Sequence, residues 1–222
     1  MIESIPPFVG ILFTLTTLYG LWWFKKCFKP GQATWILLFA WFASQGYLAY
    51  TGFYQDNQSI PPHFALAIVP PLILIIYLLV SKRNNFSEVE LSDLHWIHTI
   101  RIPVEVVLWL LYTYEQIPKI MTFEGRNFDI LMGLTAPLVV LYGFRKKLLD
   151  KQRIILWNLI GLVLLANIVI TAVLSVASPF QQLAFDMPNQ AVLAFPYVWL
   201  PSFIVPLVIF SHLLSLKKLL AN

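Results

Sequence analysis

The residues best suited to chemistry are crowded into one otherwise apolar stretch. Asp93, His95, His98, Arg101, Pro103, Glu105, Tyr112, Tyr114 and Glu115 fall within 23 residues. On a helix turning 100° per residue, His98, Arg101, Glu105 and Tyr112 lie within about 60° of one another and form one polar stripe. Arg101 and Glu105 are spaced i,i+4 and are expected to pair on that face. Ionisable groups in hydrocarbon cost several kcal/mol unless paired or wet, so the stripe is expected to face a bundle interior or a cavity. Pro103 frees backbone groups at the same depth. The plainer reading, a buried pair that only holds the helix in place, is set second to a solute route.

His95 and His98 at i,i+3 offer two imidazoles, and His212 adds a third. With Asp93 or Glu90 these could ligate a metal, although histidines also cap interfacial helix starts, and no flanking glutamate or cysteine completes a metal motif. A histidine close to Arg101 and Glu105 could also couple proton movement to transport. Asn167 is central in a later apolar segment, and Gln45 and Ser44 hold the matching place in an earlier one, so Gln45 and Asn167 join the expected route. Glu124, Arg126 and Asp129 surround Gly125 in a short polar loop, Phe123–Asp129, where they could gate a pore. The simpler expectation for Asp129 is to cap the next helix. No phosphate-binding loop, nucleophile elbow or CxxC pair occurs, so an enzyme would need its chemistry within the bundle, and no cofactor follows.

Composition says what must position these residues. Among 222 residues, 59% are apolar and 12% charged, about half the charge of a soluble domain. A chain so poor in polar groups needs hydrocarbon as part of its solvent. Apolar runs near the 20 or so residues a helix needs to cross a bilayer occur at 6–24, 33–54, 61–80, 96–116, 130–144, 154–176 and 191–216. The expected fold is therefore an all-α, polytopic membrane bundle of seven transmembrane helices in one membrane domain. Six spans, with the fourth segment lying in the interface, is the alternative. The eight tryptophans cluster partly at span ends, as interface anchors do.

Loop charge supplies an orientation. Lys25, Lys26, Lys29, Lys82, Arg83, Arg145, Lys146, Lys147, Lys151, Arg153, Lys217 and Lys218 all follow odd-numbered segments. The other side has Lys119 and Arg126 beside Glu3, Asp56, Glu124, Asp129 and Asp186. The positive-inside rule then puts the N-terminus outside and the C-terminus in the cytoplasm of a cell membrane. Basic clusters spread between apolar runs are not a nucleic-acid face. The lone Cys27 has no internal disulfide partner, and the first apolar run has no small-residue cleavage site, so it reads as a retained helix.

The chain also shows an internal echo. Leu18-Tyr19-Gly20 recurs as Leu141-Tyr142-Gly143, followed by Trp35 and Trp157, and Pro71 to Lys82 aligns with Pro206 to Lys217. Residues 1–82 and 129–222 would then be parallel three-helix units joined by a linker helix and outer loop over 83–128. In layout this resembles the SWEET and PQ-loop sugar and amino-acid transporters, and in helix count and orientation the microbial rhodopsins. The likeness is architectural and rests on no family motif: there is no Pro-Gln dipeptide, and no lysine within the seventh segment for a retinal Schiff base.

The expectation from sequence is a membrane protein that binds or moves a small solute beside the fourth helix. Its partners would be the lipid bilayer and that solute, as a monomer or an oligomer. A metal- or haem-binding protein or enzyme using His95, His98 and His212 is the alternative, and a structural subunit of a membrane complex is a third.

Overall fold

The computed structural model describes residues 5–56, 58–81 and 86–221. Glu3, Lys82 and Arg83, used above to orient the chain, lie outside them. Among the described residues the structure is helical throughout, without strands. Seven helices follow in chain order: α1 Pro7–Phe28, α2 Gln32–Tyr50, α3 Ala65–Val80, α4 Leu91–Thr113, α5 Ile130–Arg145, α6 Lys151–Leu174 and α7 Leu200–Ala221. Of these, α1, α4, α6 and α7 are long and apolar enough to cross a membrane. Helices of this kind point to association with a membrane.

The helices start and stop for local reasons. The Asp150 carboxylate accepts from the Arg153 amide at 2.8 Å and caps α6, satisfying one of the free N–H groups of its first turn. Helix α4 begins at Leu91, earlier than apolarity alone predicts, because Asp93 and His95 find partners in the bundle. The Lys26 ammonium meets Asp93 at 2.8 Å and sits 4.5 Å from the Trp23 ring centroid. Trp23 in turn stacks on Trp96. Helix α7 begins later than expected. The segment 191–199 forms a 3-10 turn at Ala191–Leu193 and then irregular backbone, and Pro196 and Pro201 interrupt the run.

Prolines shape the long helices. Pro103 has no N–H for the Thr99 carbonyl, and α4 tightens to a 3-10 turn at His98–Ile100, just before Arg101. Pro206 likewise leaves the Ser202 carbonyl without its helical donor; the Trp41 indole supplies one at 3.1 Å. The backbone widens to a π turn at Leu200–Ile204.

Helices α4 and α7 form the centre. Helix α4 packs on α1, α5 and α7, and α7 also packs on α3 and α6. Helix α2 leans on α7 mainly through rings, with Phe42 against Trp199 and Phe203. The outward faces are apolar: Ile11, Leu15, Leu18 and Trp22 line one side of α1, and Leu156, Leu159, Ile160 and Val163 one side of α6. Soluble proteins do not present stripes of this extent to water.

The C-terminal ends of α1, α3, α5 and α7 gather at one end of the bundle with the start of α4. Lys26 reaches Asp93, Phe144 packs on His95, and Lys217 donates to the Leu79 carbonyl. Lys26 and Lys217 therefore lie at this same end of the bundle.

Candidate functional site

Three features of the backbone assemble a charged network around α4. The 3-10 turn before Arg101 rotates His98 and Arg101 into the interior. A tight loop after the 3-10 turn Lys119–Met121 turns Asn127 and Asp129 back toward α4; Gly125 permits it, since a Cβ there would collide with the Lys119 carbonyl. Gly161 opens the face of α6, where a Cβ would collide with the His212 ring.

Arg101, 2% exposed, is the hub. Its Nη1 donates to Asp129 Oδ1 at 2.7 Å, and its Nη2 lies 2.9 Å from His212 Nε2. His212 Nδ1 is 2.8 Å from Asn158 Oδ1, Asn158 Nδ2 is 3.0 Å from His95 Nε2, and His95 Nδ1 is 2.7 Å from the Leu91 carbonyl. These partners assign the tautomers. A carbonyl only accepts, so His95 Nδ1 carries the hydrogen and its Nε2 accepts from Asn158. An arginine only donates, so His212 Nε2 accepts and its Nδ1 donates to Asn158. The second amide hydrogen of Asn158 goes to the Ile154 carbonyl at 2.9 Å. The result is an unbroken chain of hydrogen bonds from the start of α4 to the loop before α5, with Arg101 donating in both directions: to Asp129 on one side, and through His212, Asn158 and His95 to the Leu91 carbonyl on the other.

A second asparagine anchors the carboxylates. Asn127 Nδ2 donates to Glu105 Oε1 at 2.6 Å and to the Met121 carbonyl at 3.1 Å, while its Oδ1 accepts from the Asp129 amide at 3.0 Å. Among the described residues, Glu105 Oε2, Arg101 Nε and both ring nitrogens of His98 have no hydrogen-bond partner. His98 is instead held by stacking, 3.8 Å centroid to centroid on His212. The Trp157 ring lies 5.1 to 5.5 Å from all three imidazoles.

The carboxylates look onto a cavity of about 90 Å³ bounded by α3, α4, α6 and the segment entering α7. Its wall is mostly apolar, with Leu108, Leu165, Ile168 and Val198 among the lining residues; Glu105, Asp129 and Asn189 bring polar groups to it.

The structure brings together some residues singled out from the sequence and separates others. His98, Arg101 and Glu105 are buried side by side. Arg101, however, pairs with Asp129 instead of Glu105. The Asp129 carboxylate does not cap α5, although the residue stands at the N-cap position, because the buried guanidinium binds it more strongly than a helix amide would. Tyr112 is half-buried and packs on the apolar core. Gln45 is buried beside α7 and accepts from the Tyr54 hydroxyl at 2.5 Å; Ser44 is exposed. Asn167 is exposed too, donating to the Arg126 carbonyl at 3.0 Å. Glu124 and Arg126 are exposed, and Glu124 accepts from the Trp109 indole at 2.8 Å. His95, His98 and His212 do cluster, but four of their six ring nitrogens are spent on the hydrogen bonds above. Among the described residues, no group of three His, Cys, Asp or Glu side chains stands ready to hold a metal.

Asn127 and Asn158 were missed by sequence reasoning. The signal for Asn158 was Gly161 one turn on: a small residue marks the face where a neighbour comes close, and Ile154, Asn158, Gly161, Leu165 and Ile168 are the buried stripe of α6. Asn127 had no comparable signal, because a loop residue takes its partner from the fold.

Fold and site together define an all-helical protein with four candidate membrane spans and a buried ionic network centred on its fourth helix. The chain belongs to the family described as Domain of unknown function (DUF8737), which matches residues 60–220. That stretch holds the whole network. No curated protein and no solved structure matches the chain.

Proposed function

We propose that this is a seven-span protein of the cell membrane that binds or transports a small solute in the cavity beside α4. The observation that carries the reading is that two buried carboxyls, Glu105 from α4 and Asp129 from the loop before α5, meet an otherwise apolar cavity. Buried charge in hydrocarbon is costly and marks substrate pathways, and a mostly apolar pocket with a few convergent polar groups is the usual form of a small-molecule site. The N-terminus is outside and the C-terminus cytoplasmic. Ten basic residues among those described lie in the last turns of α1, α5 and α7, in the segments just beyond α1 and α5, or in the first turn of α6, which the positive-inside rule assigns to the cytoplasm. Residues 1–82 and 129–222 act as two three-helix units rocking about α4 and the outer loop.

Cysteine accessibility tests both parts. In a Cys27→Ser background, single cysteines replacing Lys147 or Glu124 report the two ends, and one replacing Leu108 reports the cavity. Impermeant thiol reagents applied to intact cells are expected to label the Glu124 position and not the Lys147 position. The Leu108 position should react with a small reagent. A cavity position that never reacts from either side, even with permeant reagents, would remove the solute reading.

The closeness of His95, His98 and His212, with both His98 nitrogens lacking partners among the described residues, favours a second reading as an intramembrane metal or haem protein. Metal analysis and an absorption spectrum of purified protein decide it; a colourless, metal-free preparation removes it.

A further inference from the structure

We propose that the cavity beside α4 is selective for a small alkylamine, its ammonium on Glu105 and its hydrocarbon chain along the apolar wall. The inference rests on the solute-site reading above and names the class of solute.

The charge arrangement comes first. One guanidinium, Arg101, faces two carboxyls, and the geometry assigns it to Asp129 at 2.7 Å. Glu105 is left with the Asn127 amide on Oε1 and nothing among the described residues on Oε2. Glu105 is 1% exposed and lines the cavity, so the orphaned oxygen is a buried acceptor without a donor. A charge-assisted bond from a cation supplies the donor and balances the second carboxylate.

The second acceptor points the same way. Asn189, also 1% exposed, lines the same cavity. Its Nδ2 donates to the Ala172 carbonyl at 3.1 Å, and its Oδ1 has no partner among the described residues. The orphaned groups of the cavity wall are thus acceptors, and a solute that donates suits them while a carboxylate or ketone does not. Size comes last. An apolar cavity of about 150 Å³ holds benzene; at about 90 Å³, bounded by elements of four helices, this one takes a narrower group such as a short unbranched chain.

The test uses the full chain in nanodiscs, with n-butylamine, n-butanol, n-butyrate and cyclohexylamine as probes, read by calorimetry and thermal shift. Butylamine is expected to bind about tenfold or more tighter than butanol, since a hydrogen bond to a charged group is worth that much. Butyrate and cyclohexylamine are expected to be weaker still. Glu105→Gln should abolish the preference for amine over alcohol. Ala172→Leu, which narrows the cavity without touching an ionic group, should weaken all linear probes together and serves if Glu105→Gln does not fold. Equal binding of butanol and butylamine, or an amine preference that survives Glu105→Gln, overturns the amine assignment and leaves the solute site standing. Failure of every probe to bind overturns both.

Discussion

Helices α4 and α6 are nearly equal in length, yet they occupy opposite places in the molecule. Helix α6 is the most apolar of the four candidate spans, and only 28% of its hydrophobic window is buried; α4 is the least apolar, with 67% buried. In water the order would be reversed. Where hydrocarbon is the surrounding solvent, apolar side chains gain little by turning inward, whereas an arginine, a glutamate and two histidines gain a great deal. Between these two helices burial follows polarity. The one exception on α6 makes the same point: its buried stripe is the one carrying Asn158 and Gly161, the residues that touch the histidines.

That contrast can be broken most forcefully at Arg101. Replacing it with methionine leaves Asp129 as a buried carboxylate without a cation and His212 Nε2 without a donor. The expected loss is about 3–5 kcal/mol, seen as collapse of the folded, monodisperse fraction in detergent. Full stability in Arg101→Met would mean that α4 is not held by its charges.

Asn158→Leu tests the polar face of α6. It orphans His212 Nδ1 and His95 Nε2 together, at about 1–3 kcal/mol for each buried group. Asn167→Leu, on the exposed face of the same helix, should stay within about 0.5 kcal/mol. Equal effects in thermal unfolding would erase the distinction between the two faces. Gly161→Ala should cost about 1–3 kcal/mol by overpacking against the His212 ring, and a double-mutant cycle with His212→Ala should recover part of it. The smallest effect is expected at Val163, on the outward face: Val163→Leu should leave the unfolding temperature unchanged, and a large loss would show that this face is covered by protein instead of lipid.

The four longest apolar helices were legible in the sequence because crossing hydrocarbon requires a length and an apolarity that α1, α4, α6 and α7 all meet. Their limits shifted where a polar residue found a partner, as at Asp93, or where prolines broke the run, as at Pro196 and Pro201. The stripe on α4 was legible as well, since His98, Arg101 and Glu105 share a face by helical geometry alone. Partner choice was not. Local spacing paired Arg101 with Glu105, but the loop closed by Gly125 delivers Asp129 to the guanidinium and Asn127 to Glu105. Asn167 drew attention by its central position in the segment, yet its face turns outward and Asn158 takes the buried role.

The sequence by itself determined that this chain is helical, that several of its helices are long and apolar, and that α4 is the least apolar of the four candidate spans. Those follow from periodicity, length and solvent, which act along the chain. Only the tertiary structure decided which acceptor each donor meets, which imidazole nitrogens are occupied, and that Glu105 and Asn189 keep unspent acceptors on one cavity. Such pairings join residues as far apart as Arg101 and His212, and they depend on how helices approach one another, which no local pattern encodes.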